Sequence, residues 1–144
     1  GYYVHGDQRR GAVVELTAPN TELARDLAMH VVATAPIVVR PEDLPQEVLD
    51  KEREIYVSQA EESGKPADIV QKMVEGRIRK YVAEVSLLEQ DFVKDPDKKV
   101  KDLLKSAEVD LVCFVRFEVG EGIEVEEEDF ASEVAAQIAA SDQD

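Results

Sequence analysis

The chain opens with two short β-branched runs. Tyr2-Tyr3-Val4 comes first, Gly11-Ala12-Val13-Val14-Glu15-Leu16 second, and the polar stretch Asp7-Gln8-Arg9-Arg10 lies between them. Short alternating runs around a polar break predict two paired strands of one sheet. Leu23, Leu27, Met29, Val31 and Val32 then recur among alanines behind Asn20-Thr21-Glu22. This spacing predicts a helix over 21–34, capped by Asn20 or Thr21 and halted by Pro36.

The pattern changes at Pro41. Leu44, Val48, Leu49, Ile55 and Tyr56 are spaced for one helical face, and charged residues such as Asp50, Lys51, Glu52, Arg53 and Glu54 separate them. Ser63-Gly64-Lys65-Pro66 interrupts the run. Gly64 suits a left-handed helix end and Pro66 the first turn of a following helix. Ile69, Val70, Met73, Val74, Ile78 and Tyr81 carry the returning stripe, so an antiparallel, coiled-coil-like helical hairpin is expected to project from the core. Gly76 inside the second helix costs about 1 kcal/mol relative to alanine, and close approach of the two helices is the expected reason.

Beyond the hairpin, residues 100–105 predict a short helix and residues 109–119 a strand. Leu111, Cys113, Val115 and Phe117 are expected on one face of that strand, and Asp110, Phe114, Arg116 and Glu118 on the other. Phe130, Val134 and Ile138, four apart, form the stripe of a C-terminal helix. The expected fold is α+β: a small antiparallel sheet of about three strands covered by helices, with the hairpin inserted and the helix appended. Residues 1–40 and 83–123 would form the core, 41–82 the hairpin, and 124–144 a C-terminal module.

Charge narrows the function. With 17 Lys and Arg against 32 Asp and Glu, the net charge is −15, which argues against nucleic acid or an anionic membrane surface as partner. No apolar run approaches the roughly 20 residues that span a bilayer. One cysteine, Cys113, forms no intrachain disulfide and fits a reducing compartment; within an apolar strand it reads as a core residue.

Candidate chemistry is sparse. His5 and His30 are the only histidines and lie in no metal-ligand spacing, so no metal or cofactor is expected. His30, on an apolar helix face, reads as a packed histidine. Gly120-Glu121-Gly122 lacks the Lys-Ser/Thr of a phosphate loop and stands among carboxylates, so it reads as a turn. Seven of the twelve residues 118–129 are acidic, a solvated patch that also complements the N-terminal end of a following helix. An acid–base hydrolase built on the carboxylates of 121–129 has no partner histidine or apolar pocket to support it. Two places suit protein contact instead. His5-Gly6 puts an amphipathic ring beside open backbone at a strand end. Phe92-Val93 puts two apolar residues in an expected loop, either as an interface anchor or folded back as a plug.

Several stretches, in order, carry a family resemblance: Tyr3-Val4-His5-Gly6; Ala28-Met29-His30 through Pro36; Ser63-Gly64-Lys65-Pro66 through Arg77; residues 84–96 with Gln90-Asp91-Phe92-Val93-Lys94; and 114–124. Together they resemble elongation factor Ts, the guanine-nucleotide exchange factor of elongation factor Tu. The resemblance implies the second of two related α+β core halves, its helical hairpin and the C-terminal module. It implies binding to elongation factor Tu in GDP-bound and nucleotide-free states, acceleration of GDP release, and no enzymatic step. By position, His5, Gly6, Phe92, Val93 and Lys94 would face the partner, and Phe130, Val134 and Ile138 would dock on its nucleotide-binding domain.

The family's N-terminal helical domain, first core half and Thr-Asp-Phe motif are absent from these residues. With glycine at position 1, the sequence is therefore expected to be the C-terminal part of a longer protein, binding-competent but weak in exchange. Half a core leaves a sheet face uncovered. It would pair with its own missing half, another copy of itself (a homodimer) or a tight partner, and the sequence leaves the three open. The expected location is the bacterial cytoplasm, with an organelle matrix or stroma as alternative. The alternative function is a non-catalytic interaction module on a ribosome-associated or multidomain protein.

Overall fold

The computed structural model describes residues 1–122, and the expected C-terminal helix with Phe130, Val134 and Ile138 lies outside them. Strand β1 (Tyr2–Val4) pairs antiparallel with β2 (Arg10–Leu16), and β2 pairs antiparallel with β5 (Leu111–Glu118), giving the order β1-β2-β5. Helix α1 (Thr21–Thr34) crosses one face of this sheet. It starts where the Asn20 side chain accepts the Leu23 N–H at 3.1 Å, a cap worth about 1 kcal/mol. Its end comes one step before the expected proline. Ala35 turns left-handed (φ 46°) and donates to the Val31 carbonyl at 3.0 Å. Pro36 disfavours helical backbone at the residue before it, so the helix cannot run on.

The core lies between α1 and the sheet. Leu27, Ala28, Val31 and Val32 meet Ala12 and Val14 of β2 and Leu111 of β5; Leu87, Phe92, Val100 and Leu104 close the cluster. Full burial of each large aliphatic side chain contributes about 1.5–3 kcal/mol. Val100 and Leu104 come from the short helix α4 (Val100–Ser106).

One expectation about β5 fails at a β-bulge. Leu16 faces Leu111, but Glu15 faces Cys113, so Val112 is an extra residue that resets the alternation. Leu111 therefore shares the inner face with Phe114 and Arg116, opposite Val14 and Ala12. Cys113, Val115 and Phe117 turn to the outer face instead, and Cys113 is exposed rather than a core residue. Tyr2, Val4 and Val13 join Val115 and Phe117 there, an apolar sheet face open to solvent on which Phe117 is 59% exposed.

Helices α2 (Gln46–Glu61) and α3 (Ala67–Val85) form the antiparallel hairpin. Gly64 is left-handed at the tip (φ 66°). Pro66 precedes the helix as its cap instead of entering the first turn, and its carbonyl accepts from Ile69 and Val70, both at 3.0 Å. Leu49, Tyr56, Val57 and Ala60 face Val70, Val74, Ile78 and Val82 across the seam. Ile55 does not belong to this face: one residue is 100° of helix rotation, and it points outward beside Tyr56. Ile69 is also exposed, and Leu44 is buried ahead of α2. Close helix approach does not explain Gly76, because a Cβ there would meet nothing within 4 Å.

Two extended segments pin the base of the hairpin. Val38 and Ser86 form a parallel bridge, with Leu87 N–H bonded to Val38 O at 2.9 Å and Leu88 N–H to Val39 O at 3.1 Å. Just beyond, Asp91–Phe92 (β3) and Asp95–Lys99 (β4) pair antiparallel where a loop was expected.

A candidate partner-binding groove

His5 closes the β1–β2 hairpin. Its N–H donates to Arg10 O and its carbonyl accepts from Gln8 N–H, both at 2.8 Å, while Tyr3 Oη lies 3.5 Å from its Nδ1. Asp7 ties the turn by accepting from Arg9 N–H at 2.9 Å and from Arg10 Nη2 at 2.8 Å. These two contacts hold the Asp7 carboxyl below the usual carboxylate range, and the Asp7 carboxylate raises Arg10. Gly6 is exposed in this turn, and a Cβ there would meet nothing within 4 Å.

Val93 and Lys94 form the two-residue turn between β3 and β4, with Phe92 opposite Asp95. Of the two alternatives for Phe92, the structure shows the plug. Phe92 is buried and stacks on the His30 ring at 5.8 Å between centroids, while Val93 and Lys94 remain exposed. His30 is wholly buried and uses both ring nitrogens. Nδ1 accepts the Val93 N–H at 3.2 Å, so Nε2 carries the proton and donates to Gln90 Oε1 at 2.8 Å. Gln90 Nε2 donates to the Glu84 carbonyl at 2.7 Å. Burial holds the imidazole below its ordinary pKa, with the Gln90 bond acting in the opposite sense. Lys94 Nζ reaches Asp26 Oδ2 at 2.7 Å.

The two turns therefore meet across α1. A groove of about 320 Å³ is lined by Tyr3, His5 and Arg10 from the first hairpin, Met29, Val32 and Ala33 from α1, and Val93 and Lys94 from the second. His5, Val93 and Lys94, 88 to 89 positions apart in sequence, share this one groove. Gly6 stands beside it and Phe92 supports it from inside. Tyr3, Arg10, Met29, Val32 and Ala33 carry no site assignment from the sequence, which places them only in a strand, a turn and a helix. Two periodicities mark most of them: Tyr3 and His5 share a strand face at i, i+2, and Met29, Val32 and Ala33 share a helix face at i, i+3, i+4. Its apolar floor and partly neutralised cationic rim suit a protein side chain better than a reacting small molecule. Among the described residues, no group of three or more His, Cys, Asp or Glu could hold a metal, and no helix is long and apolar enough to cross a membrane. Gly120-Glu121-Gly122 forms a turn, with Glu121 N–H on Glu118 O at 3.1 Å.

A family model described as Elongation factor TS matches residues 1–121. The chain is 60% identical over 138 residues to Elongation factor Ts of Hahella chejuensis, covering 96% of this chain and 48% of that protein. It is 61% identical over 136 residues to Elongation factor Ts of Marinobacter nauticus, covering 94% of this chain and 47% of that one. With Elongation factor Ts of Aeromonas salmonicida the identity is 59% over 141 residues, 98% of this chain and 48% of the relative. The chain spans about half the length of the curated relatives it matches.

Proposed function

The chain belongs to the elongation factor Ts family, and on that footing we propose that it binds elongation factor Tu and contributes to release of GDP from it. The observation that carries this reading is the groove, which unites His5 with Val93 and Lys94, residues the resemblance assigns to the partner from opposite ends of the core. His5 and Gly6 supply one lip, Val93 and Lys94 the other, and Phe92 acts from within by holding the second turn in place. Phe130, Val134 and Ile138 add an apolar contact to the nucleotide-binding domain of the partner. The chain makes no covalent bond in this role, and its place of work is the bacterial cytoplasm.

Exchange requires differential affinity, because a ligand that binds both nucleotide states equally shifts neither. The groove supplies binding surface, whereas the Thr-Asp-Phe element that would disturb the magnesium site is not among these residues. Stopped-flow release of a fluorescent GDP analogue tests this, with this chain and the intact Hahella relative each added to elongation factor Tu. We expect binding by both, and from this chain a stimulation about ten-fold or more below that of the relative, a difference of 1.4 kcal/mol in the barrier. Equal stimulation overturns the division of labour. No binding by this chain overturns the partner and leaves an interaction module.

We further infer that the open sheet face is covered by a second α+β half of the kind the longer family chains carry. The apolar ladders Tyr2–Val13–Val115 and Val4–Gly11–Phe117 offer a flat surface for face-to-face sheet packing. Phe117→Lys should leave the chain folded and abolish co-sedimentation with the first half of the Hahella protein. A self-associated dimer, or persistence of the complex, overturns this assignment.

A further inference from the structure

We propose that His30 is a positioning residue that fixes the Val93–Lys94 turn as a rigid lip of the groove; this rests on the reading of the groove as the partner site. In a two-residue hairpin turn the N–H of the first turn residue has no place in the strand ladder. Here that donor is Val93 N–H, and His30 Nδ1 receives it at 3.2 Å. The second turn residue is held from the same helix face one turn earlier, by Asp26 on Lys94 Nζ at 2.7 Å. Phe92, immediately before the turn, stacks on the His30 ring. The β3–β4 ladder itself is only two residue pairs long and shifts register between them, so it cannot hold the turn alone.

Only a neutral imidazole meets every demand of this position. It must fill an apolar space, accept at one nitrogen and donate at the other, towards Gln90 Oε1 at 2.8 Å. An apolar side chain of similar size would strand the Val93 donor. Through Gln90 Nε2 and the Glu84 carbonyl the same bonds continue into the last turn of α3, so the lip is referenced to the base of the hairpin as well as to α1.

Two substitutions separate positioning from simple core filling. His30→Asn places an acceptor near the position of Nδ1 and gives up Gln90, whereas His30→Gln reaches Gln90 and gives up Val93. Amide exchange at Val93 should be about ten-fold faster in His30→Gln than in His30→Asn, the size of one lost hydrogen bond. Affinity for elongation factor Tu should fall about ten-fold in the Gln variant and about three-fold or less in the Asn variant, with both melting at similar temperatures. Equal Val93 exchange in the two variants, or affinities that simply follow melting temperature, would overturn the proposal. If neither variant folds, the ring ¹⁵N spectrum of the unsubstituted chain decides, since an Nδ1–H tautomer is incompatible with the Val93 bond. Should the unsubstituted chain fail to bind elongation factor Tu, the proposed function falls, and the exchange comparison still decides whether His30 fixes the turn.

Discussion

Among the described residues, the α+β core buries eleven apolar residues drawn from α1, α4, β2, β3, β5 and Leu87, whereas the hairpin buries three, Ala60, Val74 and Ile78, between two helices adjacent in sequence. Core pairings join residues as distant as Val14 and Phe114, so the core gains its burial energy only after costly loop closure. The hairpin forms from a single chain reversal and long amphipathic helices, with Arg77 lying over the Tyr56 ring at 5.7 Å as a further local contact. The groove is built wholly on the core. Damage to the core should therefore erase the candidate site, and damage to the hairpin should largely spare it.

Leu27→Ala against Ile78→Ala gives that contrast its hardest test. Leu27 is fully buried under the sheet, and its truncation should cost about 3–5 kcal/mol in urea denaturation, enough to unfold a marginal domain. Ile78 is 8% exposed on a narrow seam that can collapse around a smaller side chain, so its truncation should cost about 2 kcal/mol and leave Val93 amide protection in place. If Ile78→Ala strips Val93 protection as Leu27→Ala does, the two regions fold as one unit.

Acid should divide the regions next. The folded-state pKa of His30 is depressed below its ordinary 6.5, so as pH falls below that value the unfolded chain binds the proton first. The stabilisation is complete above pH 6.5 and is lost as pH falls from there towards the folded pKa. Amide protection in α1 and β5, taken relative to the base-catalysed intrinsic rate, should fall between pH 7.5 and pH 5.5, while that of the α2–α3 seam stays unchanged, and His30→Gln should abolish the difference. Asp7, also depressed, acts only below its own ordinary 3.8, a separate window. An unaltered acid slope in His30→Gln would remove His30 as its source.

What the sequence disclosed follows the same division. Helix α1, its Asn20 cap, the β1–β2 hairpin and the reversal at Gly64 were legible because each has a local chemical cause, and β5 was legible as an apolar strand although its partner β2 lies far away in sequence. The inner and outer faces of β5 were not, since the Val112 bulge arises from pairing with β2 and leaves the alternation of 111–117 looking regular. Ile55 misled because a seam spaced Leu49, Tyr56, Ala60 is only one residue off the reading with Ile55. Within the groove, His5, Val93 and Lys94 were named, the last two by resemblance more than by pattern. The floor from α1 was missed because nothing local says which helix face a distant turn will reach. Phe92 was ambiguous for a related reason: an apolar residue in a charged stretch is a plug only if a ring such as His30 is waiting for it.

Two glycines, one in each region, give the smallest effects. Gly76 sits exposed in α3 with room for a methyl group, so Gly76→Ala should stabilise the hairpin by about 1 kcal/mol through helix propensity alone, read as slower exchange along the α2–α3 seam. Gly6 has the same open space, but it lies in a turn outside any helix and lacks the positive φ that would require glycine. Gly6→Ala should therefore change stability by about 0.5 kcal/mol or less. Among the described residues nothing calls for glycine at that position; on the proposed reading the partner's surface packs on the backbone beside His5, closer than a methyl group allows. Affinity for elongation factor Tu should then fall about ten-fold in Gly6→Ala, a cost of about 1.4 kcal/mol, although denaturation shows no change. Unaltered binding would show that the partner leaves a gap over this turn, and would narrow the contact to His5 and the lip formed by Val93 and Lys94.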